Sequence, residues 1–397
     1  MSATTSTTGP TGPSDPIDPA SPEPVTFTLT EEQQLLRSMA REMLGERATS
    51  GRVRTVALEQ GGFDQTLWSE LAELGLTGLL IPEEHGGSGS TFVEASIVLE
   101  ELGRRLAPVP YLASAVMGAT AVLYGGTEQQ RARVLPDVAT GATRLAVAHL
   151  DTAGRLTAPP GIHAARDGDG WVLDGEAGFV IDGAAATHLI VAARTDAGLE
   201  LFLIDVQADG LTREDVEVLD VTRPMVTVTA SGLKVSDDDR LGAGDPNAAL
   251  HATLASGLVA IANEQVGGLQ YTLESTTAYA RERVQFGRSI GSFQAVKHAL
   301  ADMLVAVESA RSAAEHAARV LARDDRAELA VAAPLAKAYC SEVYESATGD
   351  AIQIFGGIGF TWEHDAHLYF KRAKSSKLLL GDPKHHRAIV GEVLGIA

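Results

Sequence analysis

With 397 residues the chain has room for about two or three domains, each with its own core. Its 45% apolar and 21% charged content is that of an ordinary globular protein, and a net charge of −20 argues against binding a nucleic-acid backbone or an anionic membrane surface. No run of about eighteen apolar residues occurs, so no membrane span is expected, and the lone Cys340 excludes an internal disulfide and fits a reducing cytoplasm.

Residues 1–25 are mostly Ser, Thr, Pro, Gly and Asp, and read as a disordered tail with no signal-peptide core. From Thr28 to about Val134 the pattern is helical. Thr30 and Gln33 carry capping-box chemistry, and Leu35, Met39 and Met43 follow at four-residue spacing. Trp68, Leu71, Leu74 and Leu76 lead into a glycine-rich turn at 79–89, and helix resumes over 94–102.

The segments 170–181, 188–194, 199–206 and 225–235 are short, rich in β-branched residues and separated by Asp/Gly turns, as strands are. Val226-Thr-Val-Thr-Ala alternates, so one face of that strand is solvated. Helix returns from Ala248. Phe293, Val296, Leu300, Met303 and Val307 form one amphipathic stripe. Segments 328–349 and 367–380 predict two further helices, with Cys340 as a buried structural thiol in the first. The class is α+β, in the order α, β, α, divided as 1–25 tail, 26–138 helical, 139–243 β and 244–397 helical. No metal-binding cluster is read.

Two segments carry nucleotide chemistry: Tyr279-Ala-Arg-Glu-Arg-Val-Gln-Phe-Gly-Arg-Ser-Ile-Gly-Ser-Phe-Gln294 and Gln353-Ile-Phe-Gly-Gly-Ile-Gly-Phe360. Arg donates two parallel hydrogen bonds to a phosphate, and glycines let the backbone come close and offer N–H donors. The plainer alternative is a helix start and a glycine loop with no ligand. In their order and spacing the two segments resemble the acyl-CoA dehydrogenase family of flavoproteins. So do Leu76-Thr-Gly-Leu-Leu-Ile-Pro-Glu-Glu-His-Gly-Gly-Ser-Gly89 and Trp171-Val-Leu-Asp-Gly-Glu-Ala-Gly-Phe-Val-Ile-Asp-Gly183.

That resemblance implies an N-terminal all-α domain, a middle β-barrel-like or sandwich domain and a C-terminal four-helix bundle. It implies FAD as cofactor, α,β-desaturation of an acyl-CoA thioester, and electron-transfer flavoprotein or an equivalent acceptor. Arg283 would meet the FAD pyrophosphate of a neighbouring chain, Gln285, Phe286 and Gln294 would line its adenosine side, and Gln353, Gly356 and Gly357 would hold its ADP part.

The chain departs from the family where a flavin ring and substrate would be served. The family's hydroxyl-rich flavin segment is replaced by Ala146-Val-Ala-His-Leu-Asp-Thr-Ala-Gly154, and Ile181 stands where a flavin-bonding Thr is usual. Removing the weakly acidic Cα proton needs a carboxylate. The family's two positions for it fall here on Leu380 and Gly257. Glu264 and Asp382 remain as substitutes, each with a structural or capping role as the plainer reading. His385 and His386 read as surface residues, with a coenzyme A or base site as the functional alternative.

This one-sided pattern resembles the subunits of actinobacterial steroid side-chain acyl-CoA dehydrogenase heterotetramers, in which one subunit lacks part of the catalytic set. The expectation is a homo- or hetero-tetramer with a related subunit, acting on a branched or ring-bearing acyl-CoA, with no nucleic acid and no membrane as partner. The alternatives are an FAD-binding homo-oligomer with oxidase or biosynthetic desaturase chemistry, or a catalytically silent relative.

Overall fold

A computed structural model describes residues 28–396; the tail expected at 1–25 lies outside the described residues. The first helix, α1 (Glu31–Arg47), starts as its sequence dictates: the Thr30 hydroxyl accepts from Gln33 N, and the Gln33 side chain accepts from Thr30 N. There follow α2 (Ser50–Glu59), α3 (Gln65–Glu73), α4 (Phe92–Arg105), α5 (Ala119–Gly125) and α6 (Glu128–Ala139). A buried π-helical turn over Tyr111–Gly118 precedes α5. Thr91 and Glu94 repeat the capping box at α4, most of whose residues are buried.

One mixed sheet follows, built from β1 (Leu145–Ala148), β2 (Ile162–Asp167), β3 (Gly170–Ile181), β4 (His188–Thr195), β5 (Gly198–Asp205), β6 (Leu211–Asp215) and β7 (Met225–Ser236). Its order is β1-β4-β2-β3-β7-β6, with β5 antiparallel along β4. β1 and β2 both run parallel to β4, on its first and second halves. On β7, Val226, Val228 and Ala230 are buried while Thr227 and Thr229 are half-buried, as their alternation requires. Three strands escape a reading by alternation: β1 is buried at every residue, and β2 and β6 run out in charged residues.

The chain then forms α7 (Pro246–Glu282), a two-stranded hairpin of β8 (Val284–Gln285) and β9 (Arg288–Ser289), α8 (Gln294–Ala322), α9 (Arg326–Phe355), α10 (Ala366–Leu378) and α11 (Pro383–Val393). α7 packs on α4, α8 and α9, while α10 and α11 pack on α9. Backbones of α4 and α7 touch: a Cβ on Gly103 would sit 2.0 Å from the Glu264 carbonyl oxygen, and one on Gly267 would sit 1.8 Å from that of Glu100. Only glycine permits so close a crossing, and it lays Glu264 against α4.

The α+β class and the α, β, α order expected from the sequence are borne out. Two details are corrected. Phe293 caps α8 from outside it, and α11 occupies a stretch read only as a site for a base. The α8 stripe is buried from Met303 inward, whereas Leu304 and Val305 remain 48% and 67% exposed.

Candidate functional site

The two nucleotide-type segments meet at one end of the helical bundle. Tyr279, in the last turn of α7, packs its ring 4.9 Å from that of Phe355 and donates a 3.3 Å hydrogen bond to the Phe355 carbonyl. This contact joins the β8–β9 hairpin to the glycine turn at the end of α9. The hairpin turns through Phe286 and Gly287, both at positive φ (52° and 77°), which suits the tight twist of a two-residue connection. Phe293 fastens it, with the Arg288 guanidinium 4.1 Å over its ring and the Phe286 ring edge-on at 6.1 Å.

Arg283, Gln285, Phe286, Gln294, Gln353, Gly356 and Gly357 are all exposed, Phe286 by 91%. The Arg283 guanidinium has no partner among the described residues. Gly356 sits at φ 65° with nothing within 4 Å of where a Cβ would be. Its conformation, rather than crowding, requires glycine, and the backbone lies open to approach. An uncommitted guanidinium, three amide side chains and an open glycine backbone fit a pyrophosphate and its sugar. Nothing among the described residues covers them, and Phe360 (77%) and Trp362 (55%) extend the same exposed edge.

A cavity of about 890 Å³ lies elsewhere, between the start of α4, α5, the first turns of α7, the α8–α9 connection and α11, with walls such as Leu123, Ala252, Leu258 and Ile389. The two positions that the family resemblance marks for a carboxylate converge beside it. A Cβ on Gly257 would lie 2.7 Å from Leu380 Cδ1 and 3.1 Å from Met117 Sδ. Leu380, at φ 55°, lines the cavity, so its wall here is a leucine closed over a glycine. Beside β3, a Cβ on Gly154 would be 2.7 Å from the Phe179 ring, and Ile181 is buried. Asp151 is taken by Arg155, which donates to it from its backbone N (2.8 Å) and from Nε (2.6 Å).

Glu264 faces a different environment. Both its oxygens accept from Arg223, and Oε1 also accepts from Arg372. Arg372 donates in addition to Asp220, to the Thr222 carbonyl at 3.1 Å and to Thr222 Oγ1 at 2.6 Å. Burial alone would push the Glu264 carboxyl up; the guanidinium groups of Arg223 and Arg372 outweigh it and hold the pKa low. Asp382 is exposed and caps α11, accepting from His385 N at 2.8 Å. Asp182, near the Arg223 and Arg372 guanidinium groups, is pushed up to about 7 by burial. The sequence reading missed Asp220, Arg223 and Arg372. Their one signal is that each stands in or beside a segment otherwise patterned for burial.

α11 also corrects the reading of the paired histidines. Capped at Asp382 and begun by Pro383, it turns His386 inward to 1% exposure, while His385 stays half-exposed. Close by, Lys337 is fully buried on α9 and donates to Ser341 Oγ (3.1 Å) and to the carbonyls of Lys377 and Gly381 (both 3.2 Å). Burial lowers its pKa to about 7. Between pH 7 and about 10 the unfolded chain therefore holds a proton that the folded chain lacks, and stability contributed by this group rises with pH. Denaturant midpoints at pH 6, 7.5 and 9 should show the wild type gaining on Lys337→Met across that window. A constant difference between the two would contradict it.

The fold and these sites define a flavoprotein dehydrogenase of the three-part α, β, α kind. Residues 30–142 match the acyl-CoA dehydrogenase N-terminal domain, and residues 247–395 match the acyl-CoA dehydrogenase C-terminal domain. Acyl-CoA dehydrogenase IpdE2 of Mycolicibacterium smegmatis is 34% identical over 92% of this chain and 100% of its own length. Among solved structures, the Tcur3481–Tcur3483 steroid ACAD variant aligns with a TM-score of 0.84 at 35% identity, covering 93% of this chain and 99% of that one. The ChsE4–ChsE5 complex from Mycobacterium tuberculosis aligns with a TM-score of 0.86 at 29% identity, over 94% and 99%. The chain belongs to the acyl-CoA dehydrogenase family, FAD-dependent oxidoreductases acting on CH–CH groups. Among the described residues no helix is long and apolar enough to cross a membrane.

Proposed function

We propose that this chain is one subunit of a hetero-oligomeric acyl-CoA dehydrogenase, completing the FAD site of a related neighbouring subunit that supplies the catalytic carboxylate. The observation that carries the reading is an asymmetry. The residues suited to a nucleotide lie together on an outer edge, exposed and uncommitted, while the two positions for a base are Leu380 and Gly257, in contact and apolar. Bound FAD would supply the acceptor for the hydride that leaves Cβ of the thioester.

The chain's own part is to bind and orient. Arg283 would grip the pyrophosphate with its fork of donors, Gln285, Phe286 and Gln294 would hold the adenosine side, and Gln353, Gly356 and Gly357 would hold the ADP part. Glu264 holds Arg223 and Arg372 in place, and with its oxygens engaged by both guanidinium groups and its pKa held low it is a poor base for a substrate proton. Asp382 serves its helix. The substrate is a branched or ring-bearing acyl-CoA, the electron acceptor an electron-transfer flavoprotein or equivalent, and the location the cytoplasm. The steroid ACAD and the two-protein complex among the related structures support the substrate class and the hetero-oligomer.

The direct test is the visible absorption spectrum of the chain purified alone and after co-expression with a related dehydrogenase subunit. Flavin retained only with the companion is the expected result. Flavin retained stoichiometrically by the lone chain would overturn the shared site and favour a homo-oligomer with chemistry that needs no carboxylate base.

A further inference from the structure

The end of β3 lies where the β domain meets the helices. Val180 packs in the β-domain core, and Ile181 in the core that this domain shares with the helical bundle. The next residue, Asp182, sits at φ 54°, and its backbone N donates to the Pro224 carbonyl at 3.0 Å. It is 8% exposed, and its carboxyl makes no hydrogen bond or ion pair among the described residues. Charged groups from several elements act on it: Asp220 and Arg223 from the β6–β7 connection, Glu264 from α7 and Arg372 from α10. Tyr344 of α9 adjoins the same four. Arg213 of β6 holds the turn that follows, donating to the carbonyls of Gly183 (2.7 Å) and Ala186 (3.1 Å).

The two guanidinium groups are already matched by Glu264 and Asp220, so a charge on Asp182 has no counter-charge. Arg223 Nη1, buried without a partner among the described residues, makes no bond to it. Burial works against Glu264 and Asp220 as well, but Arg223 and Arg372 outweigh it and hold both carboxyls low. Burial raises the Tyr344 hydroxyl, which keeps it neutral. Asp182 is left to its burial, which pushes its carboxyl up to about 7, and it is the acid of this group whose charge changes between about pH 5 and 8.

We propose that the turn after β3 is a protonation-dependent latch between the β domain and the helical bundle, closed while Asp182 is protonated and opened when it ionises. An uncompensated buried charge is drawn to water, and opening residues 181–186 brings the carboxylate there while the four-charge core stays paired. Phe179 and Ile181 stand at the start of this turn, so the latch sets how that face of the β domain lies against the helices. The inference uses no ligand and stands or falls apart from the shared-FAD reading. In the open form the carboxyl is solvated and titrates near its ordinary 3.8, against about 7 in the closed form. Between those values the closed form holds a proton that the open form has lost, so each pH unit favours opening about tenfold. Above about pH 7 both forms are ionised and the dependence ends.

The test is amide hydrogen exchange on the full-length chain at pH 5, 6, 7 and 8, read by mass spectrometry and corrected for the intrinsic effect of pH on exchange. The opening constant of residues 181–186 should rise about tenfold per unit from pH 5 to 7 and level off by pH 8. Asp182→Asn is uncharged and tolerates positive φ, and should remove the slope. Asp182→Gly, uncharged and unstrained at this φ, repeats the comparison if the Asn variant does not fold. A wild type without slope, or the same slope in the uncharged variants, would overturn the proposal. So would protection of 181–186 equal to that of the β4–β5 pair, because the domain would then open only as a whole.

Discussion

Glu264→Ala should lower stability by ~3–5 kcal/mol, because it strips the shared counter-charge from two buried guanidinium groups. In the wild type Arg223 and Arg372 face Glu264 and Asp220, all four nearly inaccessible to water, and the charges balance. Without Glu264, Arg372 retains Asp220 and Thr222, but Arg223 loses its only ion pair among the described residues, and its Nη1 is already without a partner. For a chain this size the melting temperature should fall on the order of 5 °C. Removing the orphan as well, in Glu264→Ala with Arg223→Ala, should cost less than the sum of the single changes, the mark of a direct pair in a double-mutant cycle.

The sign with pH follows from the lowered carboxyl. A glutamate held below its ordinary 4.5 stabilises the fold above that value, and the contribution disappears as pH falls through the folded pKa. The stability gap between wild type and Glu264→Gln should therefore be flat at neutral pH and close in acid. If Glu264 were a catalytic base instead, Glu264→Gln would abolish turnover with stability almost unchanged. Melting curves and rates on the same preparations separate the two roles.

What could be read from the sequence was local. β3, β4, β5 and β7 announce themselves as runs of eight to twelve residues flanked by turns, with β7 alternating as well, whereas β1 is only four residues long and buried throughout, and leaves no period to detect. The hairpin around Phe286 and the turn at Gly356 were legible because each packs its chemistry into a few consecutive residues. The charge network was not, since its members stand at 220, 223, 264 and 372, and only folding brings them together. Taken alone, Glu264 looked like a spare acid on the face of Gly257; its meaning comes from two arginines on other elements. His386 looked like a surface residue because its neighbours Lys384, His385 and Arg387 are polar. The helical turn begun at Pro383, with Pro383 and His386 on its inner face, decides otherwise.

Arg283→Ala in the assembled protein should weaken FAD binding by roughly 10–100-fold, the loss expected for charge-assisted hydrogen bonds to a phosphate. Little else should change. The side chain is exposed and has no partner among the described residues, so its removal leaves no buried group unsatisfied. The hairpin is held by other contacts, namely Ile290 N donating to the Arg283 carbonyl at 2.8 Å and Arg288 over Phe293. Arg283→Lys should fall between the two, because a lysine keeps the charge and loses the two-pronged geometry. Arg281→Ala, which removes an exposed arginine two residues away on the end of α7, should leave flavin binding nearly unchanged and shows whether net charge alone is at work. Flavin content after gel filtration and FAD titration of the flavin-free assembly give the numbers. Undiminished FAD occupancy in Arg283→Ala, or equal losses in Arg281→Ala, would mean that this edge does not serve a pyrophosphate. In that case Phe286, Phe360 and Trp362 would be explained by subunit contact alone.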